Sequence, residues 1–166
     1  MFSDSSWKDC VDTGRSSGGY ISLPQGGAVD YGSYLLVCVT ISSGEAEYIA
    51  AAVACMRACH LRMLIYDLQH NMCSRNYNAT EVQQPSVKII IDSEAAIARA
   101  TCNKDTAGNR HVAGRYLYIR QGTSLKEHTF SWIGTKYQLA YILTKPGSPK
   151  SFTCLWNMIL FQDNDD

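Results

Sequence analysis

The chain has 166 residues, 46% of them hydrophobic and 18% charged, with fifteen basic and fifteen acidic residues that cancel. That length and composition suit one folded α/β-sized domain and exclude a disordered tail. The zero balance argues against a highly basic nucleic-acid coat protein, though not against an enzyme that holds nucleic acid through a local basic strip and metal ions.

Seven cysteines form no closed framework. Cys55 and Cys59 share a helix face at a spacing of four. Two small apolar residues in a packed helix is the preferred reading over half of a metal site, because no second Cys/His pair with zinc spacing follows. His60, His70, His111 and His128 are too scattered for zinc. Reduced thiols and the lack of a signal peptide in Met1-Phe2-Ser3-Asp4 lead to the expectation of an intracellular location, cytoplasmic or nuclear. No stretch approaches the roughly 20 apolar residues needed to cross a bilayer, so no membrane is expected. Asn78-Ala79-Thr80 fits the glycosylation pattern by chance.

In chain order, a short segment over residues 2–7 precedes a Gly/Asp/Ser-rich loop, and Tyr20-Ile21-Ser22-Leu23 alternates as a strand does. Pro24-Gln25-Gly26-Gly27 marks a turn. The run from Leu35 through Ile41 is apolar and β-branched, which predicts a mostly buried strand. Ser42 or Ser43 caps a long helix with Glu45 in its first turn. Its predicted apolar stripe comprises Ile49, Val53, Met56, His60, Leu61, Leu64, Ile65 and Leu68, ending near His70. A polar loop follows over residues 71–85. Val87-Lys88-Ile89-Ile90-Ile91 is a buried strand that ends on Asp92 and runs straight into a helix, the arrangement that places ligands at strand carboxyl ends. A loop through Gly108 leads to a helix with Val112, Tyr116 and Ile119 on one face. Phe130-Ser131-Trp132-Ile133 is the last strand, residues 136–143 a short helix, and residues 152–161 a final amphipathic helix. Trp132 and Trp156 are read as core or packing residues. The order is an α/β layer, with residues 1–161 as one domain and 162–166 as an acidic tail.

The chemistry-bearing residues are acids at the edges of apolar elements: Asp4, Glu47 and Asp92. A partly buried carboxylate is costly unless a cation or donor meets it, and three converging would make a hard-oxygen site for Mg²⁺ or Mn²⁺. Singly, each reads better as a loop acid, a solvated helix residue and an N-cap respectively, and spacing alone does not bring them together.

Six ordered blocks do carry a resemblance. They are Phe2-Ser3-Asp4-Ser5-Ser6-Trp7; Arg15-Ser16-Ser17-Gly18-Gly19-Tyr20; Ile41-Ser42-Ser43-Gly44-Glu45-Ala46-Glu47-Tyr48-Ile49-Ala50; Ile91-Asp92-Ser93-Glu94-Ala95-Ala96-Ile97; Arg110-His111-Val112 with Arg115-Tyr116 and Ile119-Arg120; and Gln138-Leu139-Ala140-Tyr141-Ile142-Leu143-Thr144-Lys145-Pro146. Together they resemble the ribonuclease H domain that closes copia-type retrotransposon Pol polyproteins. The resemblance implies a ribonuclease H-like fold, a mixed sheet of three antiparallel and then two parallel strands flanked by helices. It also implies hydrolysis of the RNA strand of an RNA–DNA hybrid by two divalent ions about 3.5–4 Å apart. Carried over by motif, Asp4 bridges the ions, Glu47 and Asp92 hold the leaving-group ion, and Glu45 has a supporting or capping role. Arg15, Ser16, Arg110 and Lys145 are weaker candidates for contact with nucleic acid.

The departures matter as much. Tyr141 stands where the family has a fourth aspartate, and no Asp or Glu occurs between His128 and Gln162. A neutral phenol is a poor ligand for a hard cation. Tyr34-Leu35-Leu36 replaces a lysine-bearing segment, Lys136-Tyr137 replaces an acidic pair, and Ala113-Gly114 weakens the histidine helix. The chain begins three residues before Asp4 and carries no reverse transcriptase, so a shortened first strand is expected. These features predict a monomeric ribonuclease H-like domain with impaired or absent activity. The alternatives are a non-catalytic nucleic-acid- or protein-binding module and an enzyme still active with three carboxylates.

Overall fold

The computed structural model describes residues 1–70, 85–101 and 113–160. Arg110, His111, Val112, the Asn78 glycosylation pattern, the loops over 71–84 and through Gly108, and the acidic tail lie outside the described residues.

Five strands form one sheet in the order β3-β2-β1-β4-β5. They are β1 (Phe2–Ser6), β2 (Ser17–Ser22), β3 (Asp30–Leu35), β4 (Val87–Ile91) and β5 (His128–Trp132). β1 to β3 pair antiparallel, whereas β1–β4 and β4–β5 pair parallel. This is the mixed sheet that the resemblance implies. β1 is not stunted relative to its parallel neighbours, since its five residues equal the lengths of β4 and β5. Every residue of β1 has a partner in β2.

Helix α1 (Ser43–His70) packs across the sheet, with α2 (Glu94–Thr101) and α3 (Ala113–Ser124) beside it. A second small core forms where α4 (Pro149–Ile159) covers the 3₁₀ turn Leu139–Leu143, with Leu155 and Ile159 against Ile21 and Leu139. The helix predicted over residues 136–143 is thus two 3₁₀ turns, Thr135–Tyr137 and Leu139–Leu143.

α1 starts where Ser42 accepts from the Glu45 amide at 3.2 Å while the Glu45 carboxylate accepts from the Ile41 amide at 2.7 Å. This reciprocal pair satisfies two amides that the helix cannot. Its buried face follows the predicted stripe only in part, at Ile49 and the partly buried Val53. Ala46, Ile49, Ala50, Ala51, Ala52, Ala54, Cys55 and Ala58 are buried, while Met56, Leu64 and Leu68 are exposed. Small side chains let the helix approach the sheet closely, so alanines make up most of the buried face beside Tyr48 and Ile49, and Met56, Leu64 and Leu68 lie outside it. The alanines also lift the apolar content of Ser43–Leu68 to that of a bilayer-crossing segment, which corrects the expectation that no stretch qualifies. Here that helix is the core helix, closed over β1, β2 and β4.

The segment from Leu35 through Ile41 is the other correction. Only Leu35 belongs to β3, and only Leu36 and Thr40 are buried; Val37, Val39 and Ile41 are exposed. β3 is an edge strand whose register with β2 ends at Ser17↔Leu35. Beyond it the chain turns across the sheet end, where the Thr40 carbonyl accepts from the Trp7 indole at 3.3 Å. A β-branched run without a strand partner has no ladder to join.

Candidate metal centre

Asp4 lies at the middle of β1, fully buried. Phe2 is level with Ile90 in the parallel pairing, so two residues further along both strands Asp4 comes level with Asp92 at the carboxyl end of β4. α1 crosses this end of the sheet and presents Glu47 to the same point. Carboxylate oxygens of Asp4, Glu47 and Asp92 all lie within 4.8 Å of one another. The bland roles for these acids fall to their neighbours. Ser93 caps α2 by accepting from the Ala96 amide at 3.2 Å, and Glu45 completes the cap of α1.

The electrostatics are those of acids held together out of water. Burial pushes the Glu47 carboxyl up to about 8, with the negative charges of Asp4 and Asp92 adding to the effect. Glu47 Oε1 accepts from the Ser5 amide at 3.2 Å, and Oε2 is buried without a hydrogen-bond partner. Burial also raises the Asp4 carboxyl above its usual range, opposed by a hydrogen bond from Thr144 and by the charge of Lys145, and reinforced by Asp92. Thr144 donates to Asp4 Oδ2, and Lys145 Nζ lies 3.3 Å from Oδ1. An orphaned carboxylate oxygen beside two further acids is a donor set suited to a hard divalent cation.

Tyr141 sits in the 3₁₀ turn Leu139–Leu143, half-buried. Its ring lies 5.0 Å below the Lys145 ammonium and packs with the small second core. It also lines a groove of about 580 Å³ shared with Tyr137, Lys150, Cys154 and Met158. The chain after this turn therefore delivers a hydroxyl and an ammonium to Asp4, with the Tyr141 ring against that ammonium.

Two supporting residues were visible in the sequence only as parts of a motif. Gln138 is fully buried, donating to the Ser3 carbonyl at 3.0 Å and to the Ile90 carbonyl at 3.4 Å, which ties the turn to both central strands. Thr144 reaches Asp4 because Gly19, the cross-strand partner of Asp4, leaves the space. A Cβ on Gly19 would meet Thr144 Cγ2 at 2.8 Å and Leu143 Cβ at 2.9 Å. A glycine opposite a buried acid was the available signal.

The basic and polar candidates separate. Lys145 faces Asp4. Ser16 is corrected: it is fully buried, with Oγ 2.8 Å from the Thr40 hydroxyl and accepting from the Lys8 amide at 3.0 Å, so it offers nothing to a ligand. Arg15 is half-exposed in the loop before β2. Trp132 and Trp156 are not core residues. Both are about half-exposed, with the Trp132 indole donating to the Asp92 carbonyl at 3.2 Å and Trp156 stacked on Phe152.

No protein-family model matches the chain. It is 28% identical over 144 residues to the retrovirus-related Pol polyprotein from transposon TNT 1-94 of Nicotiana tabacum, a match covering 87% of this chain. It spans about a tenth of that polyprotein's length. Among solved structures it resembles the N-terminal RNase H domain of rv2228c from Mycobacterium tuberculosis, solved as a fusion with maltose-binding protein. The TM-score is 0.56, with 94% of each chain covered at 11% identity. The chain is therefore similar to a segment of a retrotransposon Pol polyprotein and carries a ribonuclease H-like fold.

Proposed function

We propose that this domain descends from a ribonuclease H that hydrolyses the RNA strand of RNA–DNA hybrids, and that it retains the metal-binding core while cleaving weakly or not at all. The observation that carries the reading is the convergence of Asp4, Glu47 and Asp92 within 4.8 Å, beside a turn that brings Tyr141 and Lys145. Asp4, Glu47 and Asp92 would hold Mg²⁺ or Mn²⁺. Bound there, divalent ions supply an activated water and charge stabilisation for the leaving oxygen.

The chain's own residues set the limits on that chemistry. Asp4 accepts from Thr144 and Lys145, so its oxygens are oriented but already partly neutralised. The Lys145 ammonium competes with a cation for Oδ1. Glu47, held by Ser5 at one oxygen, offers the other. Tyr141 stands at the sequence position of the family's fourth aspartate, so a second cation would lack that charged ligand. If that weakens transition-state stabilisation by about 3–4 kcal/mol, the rate falls a few hundred-fold or more.

The test is incubation of the pure protein with an end-labelled RNA–DNA hybrid in Mn²⁺. The expected result is cleavage at or near background. Rapid cleavage that Asp92→Asn abolishes would overturn the impaired reading and establish an active three-carboxylate enzyme. Salt-dependent hybrid binding without cleavage would support the non-catalytic binding module instead.

A further inference from the structure

At the opposite end of the parallel strands a second cluster forms from residues that the carboxylate site does not use. Cys59 on α1, Glu127 in the turn after α3, and His128 at the start of β5 bring a sulfur, a carboxylate oxygen and a ring nitrogen within 4.8 Å of one another. His128 is level with Val87, the first residue of β4, whereas Asp92 follows the last.

The histidine is the informative member. Its side chain is fully buried, and Nε2 lies 3.0 Å from the Ile119 carbonyl of α3. A carbonyl only accepts, so Nε2 carries the proton and Nδ1 presents a bare lone pair. Nδ1 is buried and has no hydrogen-bond partner. A buried unmatched acceptor is costly, and its place in a fold asks for a reason. Histidines that bind metals typically use one nitrogen for the ion and donate the other N–H to a carbonyl or carboxylate, the arrangement present here. Gly122 of α3 makes room for the ring, since a Cβ there would stand 2.1 Å from His128 Cε1.

The other two donors are suitably placed. Cys59 is half-exposed, and the Tyr118 hydroxyl is in hydrogen-bond contact with its thiol. Glu127 is half-exposed and its backbone carbonyl is pinned by Arg62 at 3.0 Å. A thiolate and a carboxylate together cancel the charge of a divalent ion, while the nearby Arg62 guanidinium opposes any excess of positive charge. Tetrahedral zinc bonds of about 2.0–2.3 Å place neighbouring ligand atoms roughly 3.3–3.8 Å apart, so a pair at the 4.8 Å limit would need to close by about 1 Å or slightly more. The half-exposed Glu127 side chain can supply that movement.

We infer that Cys59, Glu127 and His128 form a zinc-binding site, with water as the fourth ligand, that clips α1 to the start of β5. A sulfur–nitrogen–oxygen set selects Zn²⁺ over the Mg²⁺ or Mn²⁺ suited to three carboxylates, so the two sites are chemically separate.

The test titrates the reduced, chelator-stripped full chain with Co²⁺ and then Zn²⁺. The inference predicts a thiolate-to-cobalt charge-transfer band with tetrahedral visible bands, reversed by Zn²⁺, and a melting temperature raised by several degrees with Zn²⁺. Cys59→Ser abolishes the band, and Glu127→Gln weakens cobalt binding at least tenfold. Glu127→Gln alters a half-exposed side chain and decides the matter even if Cys59→Ser fails to fold. No thiolate band up to about 1 mM Co²⁺, or a band that survives Cys59→Ser, would overturn the site and leave His128 as a packed core histidine.

Discussion

The two ends of the β4–β5 pair bury titratable groups by opposite means. At the carboxyl end, three acids crowd together, and burial raises both Asp4 and Glu47. At the amino end, one histidine is buried against an α3 carbonyl with its proton demand lowered, chiefly by burial. The first end has excess negative charge and answers it with Lys145; the second has a bare lone pair beside a thiol. The same sheet supplies position at both ends, while side-chain chemistry determines which cation each could accept.

The comparison can be sharpened first at Glu47. Its folded value of about 8 lies above the ordinary 4.5, so the fold favours the neutral carboxyl. The stabilising preference is complete below about pH 4.5 and is lost as pH rises through 8. Glu47→Gln should therefore stabilise the metal-free protein above pH 8 by about 2–4 kcal/mol, seen as a higher melting temperature at pH 9 but little change at pH 4. Adding Mn²⁺ should reduce this advantage, because the wild-type carboxylate gains a counter-ion.

At the other end, Gly122→Ala drives a methyl into the His128 ring and should cost about 2–3 kcal/mol, even after the helix-propensity gain of alanine. Thermal melts of the two proteins read this directly; an unchanged melting temperature would mean that the ring is not tightly held. Gly19→Ala should cost about 1–2 kcal/mol by displacing Thr144 and Leu143. Because Thr144 bonds Asp4, this variant should also change Mn²⁺ affinity, which Gly122→Ala should not. Ser42→Ala removes one half of the α1 cap and should cost about 1 kcal/mol in denaturant unfolding with no effect specific to either end.

Much of the architecture was legible because strand and helix signals agree with their neighbours. Val87 to Ile91 is apolar and β-branched and sits between two covered strands, and the Ser42–Glu45 cap is local in sequence. What escaped depended on contacts distant in the chain. Nothing in the Leu35 to Ile41 run tells that its partner strand ends at Ser17. The face of α1 was misjudged because bulk was taken as the sign of burial, whereas close helix–sheet approach favours Ala50, Ala54 and Ala58. The acids at Asp4, Glu47 and Asp92 were readable through ordered motifs. The Cys59–His128 cluster was not, because metal spacing rules apply to ligands close together in sequence and these meet only through the α1–β5 packing.

The central claim is that the carboxylate core persists and that Tyr141 limits it. Its most direct test is the rate of hybrid cleavage in Mn²⁺ by Tyr141→Asp beside the unaltered protein, with Tyr141→Asp/Asp92→Asn as the control. The account predicts a gain on the order of a hundred-fold that the second substitution erases. Equal rates for the unaltered protein and Tyr141→Asp would contradict it.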